Sequence, residues 1–240
     1  MIFKYEELKK FYNEIKSKGK VELFRNWDGE KAFLIRHDVD FDIKLAHNMA
    51  AIENELGIVS TYFILTTCHS YNVLSEQNRT LLREINDMGH EIGLHFDPTL
   101  YPENLSAFVD KEAEVLSLSC GTEVKSISLH NPSIHGQFPL FSNYINAYDP
   151  AFFSNTNYVS DSCFNFRGKD PFEFINGIED NMIQILLHPM HYSQDGWGYD
   201  DILVSSFKSY MKQIHEAFLV NATYKEQIGS DFIKLMKNNL

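Results

Sequence analysis

Asp38 and Asp40 stand one residue apart where the apolar run Phe33-Leu-Ile-Arg-His-Asp-Val-Asp40 ends. On an extended backbone alternate side chains share a face, so both carboxylates point one way while His37 and Val39 point the other. Like charges this close repel unless a proton or a cation relieves them. A divalent ion held by one carboxylate, with the other left to manage protons, resolves the conflict. The bland alternative gives both acids a structural task, capping the helix that starts at Ile43. Three further apolar runs end in histidine. Gly89-His-Glu-Ile-Gly-Leu-His-Phe-Asp97 delivers His95 and Asp97 on a common side, Ser128-Leu-His-Asn-Pro132 delivers His130, and Leu186-Leu-His-Pro-Met-His191 delivers His188. His90 sits at the entry of its run and reads as structural. Imidazole and carboxylate are the usual donors to zinc and its first-row relatives, and an open coordination position makes such a site catalytic. Water on such an ion ionises near neutral pH, so the chemistry is hydrolysis.

Positioning these groups is the task of the elements between them. Spacing of Tyr5, Leu8, Phe11, Tyr12 and Ile15 predicts an amphipathic helix over 5–18. Strand-like runs at 31–36, 58–65, 91–95, 126–129, 157–159 and 182–187 alternate with helical spacing at 43–56, 76–88, 105–118 and 202–219, the last leading into a polar helical tail to 240. Ser75 is placed to cap one helix, and Gly57, Gly89 and Gly121 to stop three. Residues 134–154 carry the weakest pattern and read as loops around a short helix, either a lid or ordinary packing. Strands alternating with helices call for a parallel sheet with right-handed crossovers. Six or seven such units predict an α/β fold, a single-domain distorted (β/α) barrel of about seven parallel strands. Its core spans about 31–220 within one domain of 1–240. Binding groups then gather at the carboxyl ends of the strands.

Composition narrows the class. The 240 residues carry 21 Lys and Arg against 33 Asp and Glu, a formal charge of −12, without a basic cluster that would track nucleic acid. No stretch approaches the length of a membrane span, and the N-terminal residues lack a signal-type apolar region, so a cytoplasmic protein is expected. Cys68, Cys120 and Cys163 are odd in number and widely spaced, which indicates neither a disulfide framework nor a structural zinc knuckle.

These motifs, in this order, resemble the polysaccharide deacetylases of the NodB-homology group, carbohydrate esterase family 4, over about 33–188. The resemblance implies Asp38 as general base and Asp40 as metal ligand, in a spaced D-x-D form of the first motif. His95 matches the first histidine of the second motif, Asp161 the acid of the fourth, and His188 the general acid of the fifth. Two positions depart from the pattern. The family's second metal histidine, four residues on, is Thr99 here, and His130 or Asp97 is expected to complete the site, with His130 the better aimed. The third motif's arginine has no counterpart, which leaves that electrostatic part to Arg36 or Arg167. By resemblance the cofactor is a divalent metal, zinc foremost, and the reaction removes an N-acyl group, chiefly acetyl, from a sugar or sugar nucleotide in polysaccharide biosynthesis. A non-catalytic binding barrel and a hydrolase of non-sugar or cyclic amides are the rival readings. An isologous homodimer is the default assembly.

Overall fold

Period-two alternation decides what lies on each side of the sheet. The computed structural model describes residues 3–179, 182–232 and 234. Its first compact unit, up to Trp197, runs α1 (Tyr5–Lys18), β1 (Val21–Glu22), β2 (Phe33–Val39), α2 (Ile43–Leu56), β3 (Thr61–Leu65), α3 (Glu76–Asp87), β4 (Glu91–Phe96), α4 (Leu105–Cys120), β5 (Ser126–Leu129), α5 (Pro132–His135), β6 (Ile145–Asn146), β7 (Tyr158–Ser160), α6 (Pro171–Phe174) and β8 (Ile183–Leu187). Every ladder is parallel, in the order β6-β5-β4-β3-β2-β8-β7 with β1 beside β2. The path ends at β6 and β7, and no ladder joins those edges among the described residues. The expected α/β distorted barrel is therefore present in an incompletely closed form.

Caps and stops follow local chemistry. Ser75 Oγ accepts from Asn78 N–H at the start of α3, and Gly57 and Gly121 take left-handed φ of 65° and 77° after α2 and α4. At α2 the capping carboxylate is Asp42, which accepts from Lys44 N–H at 2.7 Å. The cap reading for Asp38 and Asp40 thus loses its object.

Odd-numbered residues of β2 face the helices. Phe33 and Ile35 pack with Leu8, Phe11, Tyr12 and Ile15 of α1, and Val39 packs with Ile43, Ala46 and Ala50 of α2. Even-numbered residues face inward. Leu34 joins Phe24, Phe63, Phe152 and Met182, and above it the interior turns polar with Arg36 and Asp38. On three adjacent strands Glu91 accepts from Thr61 Oγ1 at 2.8 Å and from Ser126 Oγ at 2.6 Å, which satisfies a carboxylate buried at the barrel floor. The 134–154 stretch contributes the edge strand β6 and buries Phe141, Ala147 and Phe152.

The second unit, from Gly198, is helical. It holds α7 (Tyr199–Phe218) and α8 (Ala222–Gln227), with His215 Nδ1 2.9 Å from Tyr224 Oη and its ring stacked on Phe232 at 4.2 Å. The expected helical tail beyond 234 lies outside the described residues. Among the described residues no helix is long and apolar enough to cross a membrane.

Candidate active site

Four strands bring their carboxyl ends together. Asp38 lies in β2 and Asp40 one residue beyond it, His95 lies near the end of β4, His130 follows β5, and His188 follows β8. Asp40 Oδ1, His95 Nε2 and His130 Nδ1 form a triangle with sides of 3.1, 3.4 and 3.2 Å. Donors about 2.05 Å from a tetrahedral zinc stand about 3.3 Å apart, so the triangle has the size of one face of such a site. Asp40 Oδ1 is buried and makes no hydrogen bond of good geometry, although both imidazoles face it. Burial by itself would raise the Asp40 carboxyl, but His130 and His95 outweigh it and hold the group well below the usual carboxylate range. Burial would lower His130, and Asp40 overrides it to raise that ring. One buried oxygen that stays anionic before two imidazole nitrogens fits a divalent cation.

Proton-handling groups flank the triangle. Asp38 Oδ2 lies 3.8 Å from His95 Nε2, and His188 Nε2 lies 3.7 Å from Asp40 Oδ2. Asp161, placed by β7, holds His188. Its carboxylate accepts from the His188 backbone N–H at 3.1 and 3.0 Å, and it lies 2.6 Å from Nδ1 of the same residue. Burial disfavours the imidazolium, but the Asp161 charge and hydrogen bond, with Asp40 and Asp38 beyond, outweigh it and raise His188 to about 9. Asp161 is held low by the same pairing against its own burial. Its other oxygen lies 3.1 Å from His191 Nδ1. Asp161, His188 and His191 form a second group of metal-donor type, but the Asp161 oxygens are already engaged by both rings and by the backbone.

Asp38 is braced from inside the barrel. Arg36 Nη2 donates to Asp38 Oδ2 at 2.9 Å and to Tyr148 Oη at 2.9 Å, and Nη1 donates to Gln184 Oε1 at 2.9 Å. Gln184 Nε2 in turn donates to Ala147 O at 3.0 Å and Phe152 O at 2.7 Å, and Ser128 Oγ sits 3.3 Å from Asp38 Oδ1. Of the two arginines considered, Arg36 meets Asp38, whereas Arg167 is exposed on the loop after β7.

The structure thus gathers Asp38, Asp40, His95, His130, Asp161 and His188. The chain resembles the family 4 carbohydrate esterases. Asp97 stands apart from the triangle. Its Oδ1 accepts from Thr99 N–H at 2.9 Å and Thr99 Oγ1 at 2.6 Å, capping a short 3-10 turn. His90, as expected, is structural, with Nδ1 accepting from Ser60 N–H at 3.2 Å and Nε2 3.1 Å from Ala50 O. Sequence reasoning passed over Tyr148, Gln184, Ser128 and His191. Only His191 carried a visible signal, its place three residues after His188.

Solved structures similar to this chain include a family 4 carbohydrate esterase from Bacillus anthracis, at 15% identity and TM-score 0.44, covering 85% of this chain and 86% of that one. The chitin deacetylase of the fungal pathogen Colletotrichum lindemuthianum matches at 14% identity and TM-score 0.46, covering 76% and 84%. A mutant CE4 family pseudoenzyme with restored enzymatic activity matches at 13% identity and TM-score 0.43. That match covers 77% of this chain, which spans 64% of the pseudoenzyme's length. No family model and no curated protein matches the sequence.

Proposed function

We propose that this chain is a metal-dependent amidohydrolase that removes an N-acyl group, acetyl foremost, from a sugar or sugar nucleotide of polysaccharide biosynthesis. The observation that carries the reading is the triangle of Asp40, His95 and His130 with Asp38 on one side and His188 on the other. A divalent ion, zinc by the donor set, would be held by those three residues and would supply Lewis acidity together with a water of lowered pKa. Asp38 takes the proton of the attacking water, and the Arg36 fork keeps that carboxylate aimed. His188, kept protonated by Asp161, hands its Nε2 proton to the departing amine. Asn131 prepares His130 for its part. Its side-chain amide lies 2.8 Å from His130 Nε2, and turned so that Oδ1 accepts Nε2–H it leaves the Nδ1 lone pair for the metal. The sugar class follows the motif resemblance.

The test is metal content and acyl release measured together. Purified protein should bind one equivalent of zinc and release acetate from N-acetylated sugar nucleotides, with N-formyl and cyclic amide compounds run beside them. Asp38→Asn should keep the metal and lose turnover. Absence of metal, with unchanged stability in chelator and no release from any compound of the panel, would sink the reading.

A further inference from the structure

Beyond Val39 the second strand leaves its ladder, whose last register pair with β3 is Val39 and Ile64. The carbonyls of Val39, Asp40 and Phe41 then need partners outside the sheet. All three find them in one four-residue stretch, Cys68-His-Ser-Tyr71, on the loop after β3. Tyr71 Oη donates to Val39 O at 2.6 Å, Cys68 Sγ donates to Asp40 O at 3.3 Å, and Ser70 Oγ donates to Phe41 O at 2.6 Å. The stretch is itself anchored to the strand it leaves. Tyr71 Oη accepts from Leu65 N–H at 2.9 Å, Cys68 N–H donates to Leu65 O at 3.1 Å, and Cys68 Sγ accepts from Ser70 N–H at 3.4 Å. Tyr71 is buried, so water does not compete for its hydroxyl.

We propose that Cys68, Ser70 and Tyr71 are positioning residues for metal binding, fixing the main chain of Asp40 so that Oδ1 stays in the triangle with His95 Nε2 and His130 Nδ1. The inference rests on the metal reading given above. His95 is carried inside a strand, whereas Asp40 stands on backbone that the sheet no longer holds. A carboxylate on a loose segment must be ordered at the moment of binding, at an entropic cost that a braced segment has already met. The thiol reaches the Asp40 main-chain oxygen and acts through it. Groups of this kind, which orient a ligand without touching the ion, change metal affinity by about 10–100-fold.

The experiment is zinc titration against a chromophoric chelator, on the full chain, for the wild type and for Tyr71→Phe, Cys68→Ala, Cys68→Ser and Asp40→Ala. Amide hydrogen exchange at 39–42 is followed in the metal-free proteins. Tyr71→Phe and Cys68→Ala should each weaken zinc by about tenfold. Both should also speed exchange at 40–42 while β4 amides stay unchanged. Cys68→Ser, which keeps a donor, should recover most of the affinity. Urea midpoints identify any variant that fails to fold, and Cys68→Ala, which removes a single sulfur, keeps the test open if Tyr71→Phe does not fold. Zinc affinity within about twofold of wild type in both weakened variants, with Asp40→Ala unable to bind, overturns the positioning role and leaves the metal reading standing. Wild-type protein that binds no zinc overturns the metal reading and this role with it.

Discussion

Arg36 Nη2 lies 2.9 Å from Asp38 Oδ2, and the two residues belong to one strand, two positions apart. Both side chains therefore enter the barrel from the same face, and the charge partner of the proposed base is supplied by the strand that carries the base. A resemblance read position by position looks for that arginine in another motif and finds no counterpart there, while Ser128 Oγ from β5 faces the same carboxylate. Two strands thus supply hydrogen-bond donors to one buried carboxylate.

Removing Arg36 should cost more than removing the pair. Asp38 is almost completely buried, so Arg36→Ala leaves a lone carboxylate there, and breaking a buried pair costs about 3–5 kcal/mol. A double variant, Arg36→Met with Asp38→Leu, should recover most of that loss because two charges leave together. Arg36→Lys should fall between, since a single ammonium cannot reach Asp38, Tyr148 and Gln184 as the planar fork does. Urea midpoints order the four proteins, and a double variant less stable than Arg36→Ala would refute the argument.

The pH dependence of His188 has a definite sign. Its folded value is raised to about 9, above about 6.5 for an unperturbed histidine. The stability from this pairing is thus complete below about pH 6.5 and is lost as pH rises through 9. A general acid that stays protonated in this range also keeps the alkaline limb of turnover near 9. In Asp161→Asn the chief raising influence is gone while burial, which disfavours the charge, remains, so the midpoint should fall to about 6.5 or below. NMR titration of the His188 ring in metal-free protein reads this directly, and an unmoved midpoint in Asp161→Asn would rule the account out.

Strand runs were legible because β-branched and apolar residues cluster there, and the site was legible because four of those runs end in acids or histidines. The interior was less so. Arg36, Gln184 and Glu91 sit within runs that read as apolar, and one sequence does not show that period-two alternation turns them inward against each other. Tyr148 was hidden for another reason. Its segment has little periodicity, and that segment is held by Gln184, which meets the carbonyls of Ala147 and Phe152 from 37 and 32 residues away along the chain. Thr99 stood where a ligand was sought because spacing along the chain was followed, whereas the structure brings His130 from the neighbouring strand.

Behind the sheet, Glu53 predicts an acid-side loss of stability. Its Oε1 lies 2.7 Å from His37 Nε2, and Oε2 accepts from Ser60 Oγ at 2.5 Å and Tyr62 Oη at 2.7 Å. Burial pushes this carboxyl up, but His37 by charge and hydrogen bond, helped by His90 and Ser60, brings it down to about 2. The contribution is therefore present above about pH 4.5 and lost as pH falls through about 2. Glu53→Gln should cost about 3–5 kcal/mol at neutral pH and should flatten the slope of urea midpoint against pH between 5 and 3. A variant as stable as the wild type at pH 7 would contradict this.

Gly93 tests the packing of the barrel interior. A Cβ there would lie 2.6 Å from ring carbons of Phe63 and 3.0 Å from Ser126 O. Gly93→Ala should lower stability by about 1–3 kcal/mol, as overpacked cores do. Adding Phe63→Leu should return part of it by removing the ring that the methyl meets. Thermal unfolding of the two proteins decides the matter, and an additive second loss would show that Phe63 is not the obstacle.

The choice of third ligand is decided by metal content. His130 Nδ1 stands in the triangle with Asp40 and His95, whereas Asp97 spends its carboxylate on Thr99 at the start of a 3-10 turn. Removing a ligand leaves two donors where three are needed to hold zinc with one position open, so His130→Ala should lose the metal as completely as His95→Ala. Asp97→Ala should lose only its cap, about 1 kcal/mol, and keep the zinc. His90→Ala should do the reverse of His130→Ala. Its ring is buried among Ser60 and Ala50, at the amino end of β4 and away from the carboxyl end that carries His95, so it should lower the unfolding midpoint while zinc stoichiometry stays at one. Metal retained in His130→Ala and lost in Asp97→Ala would transfer the third position to Asp97.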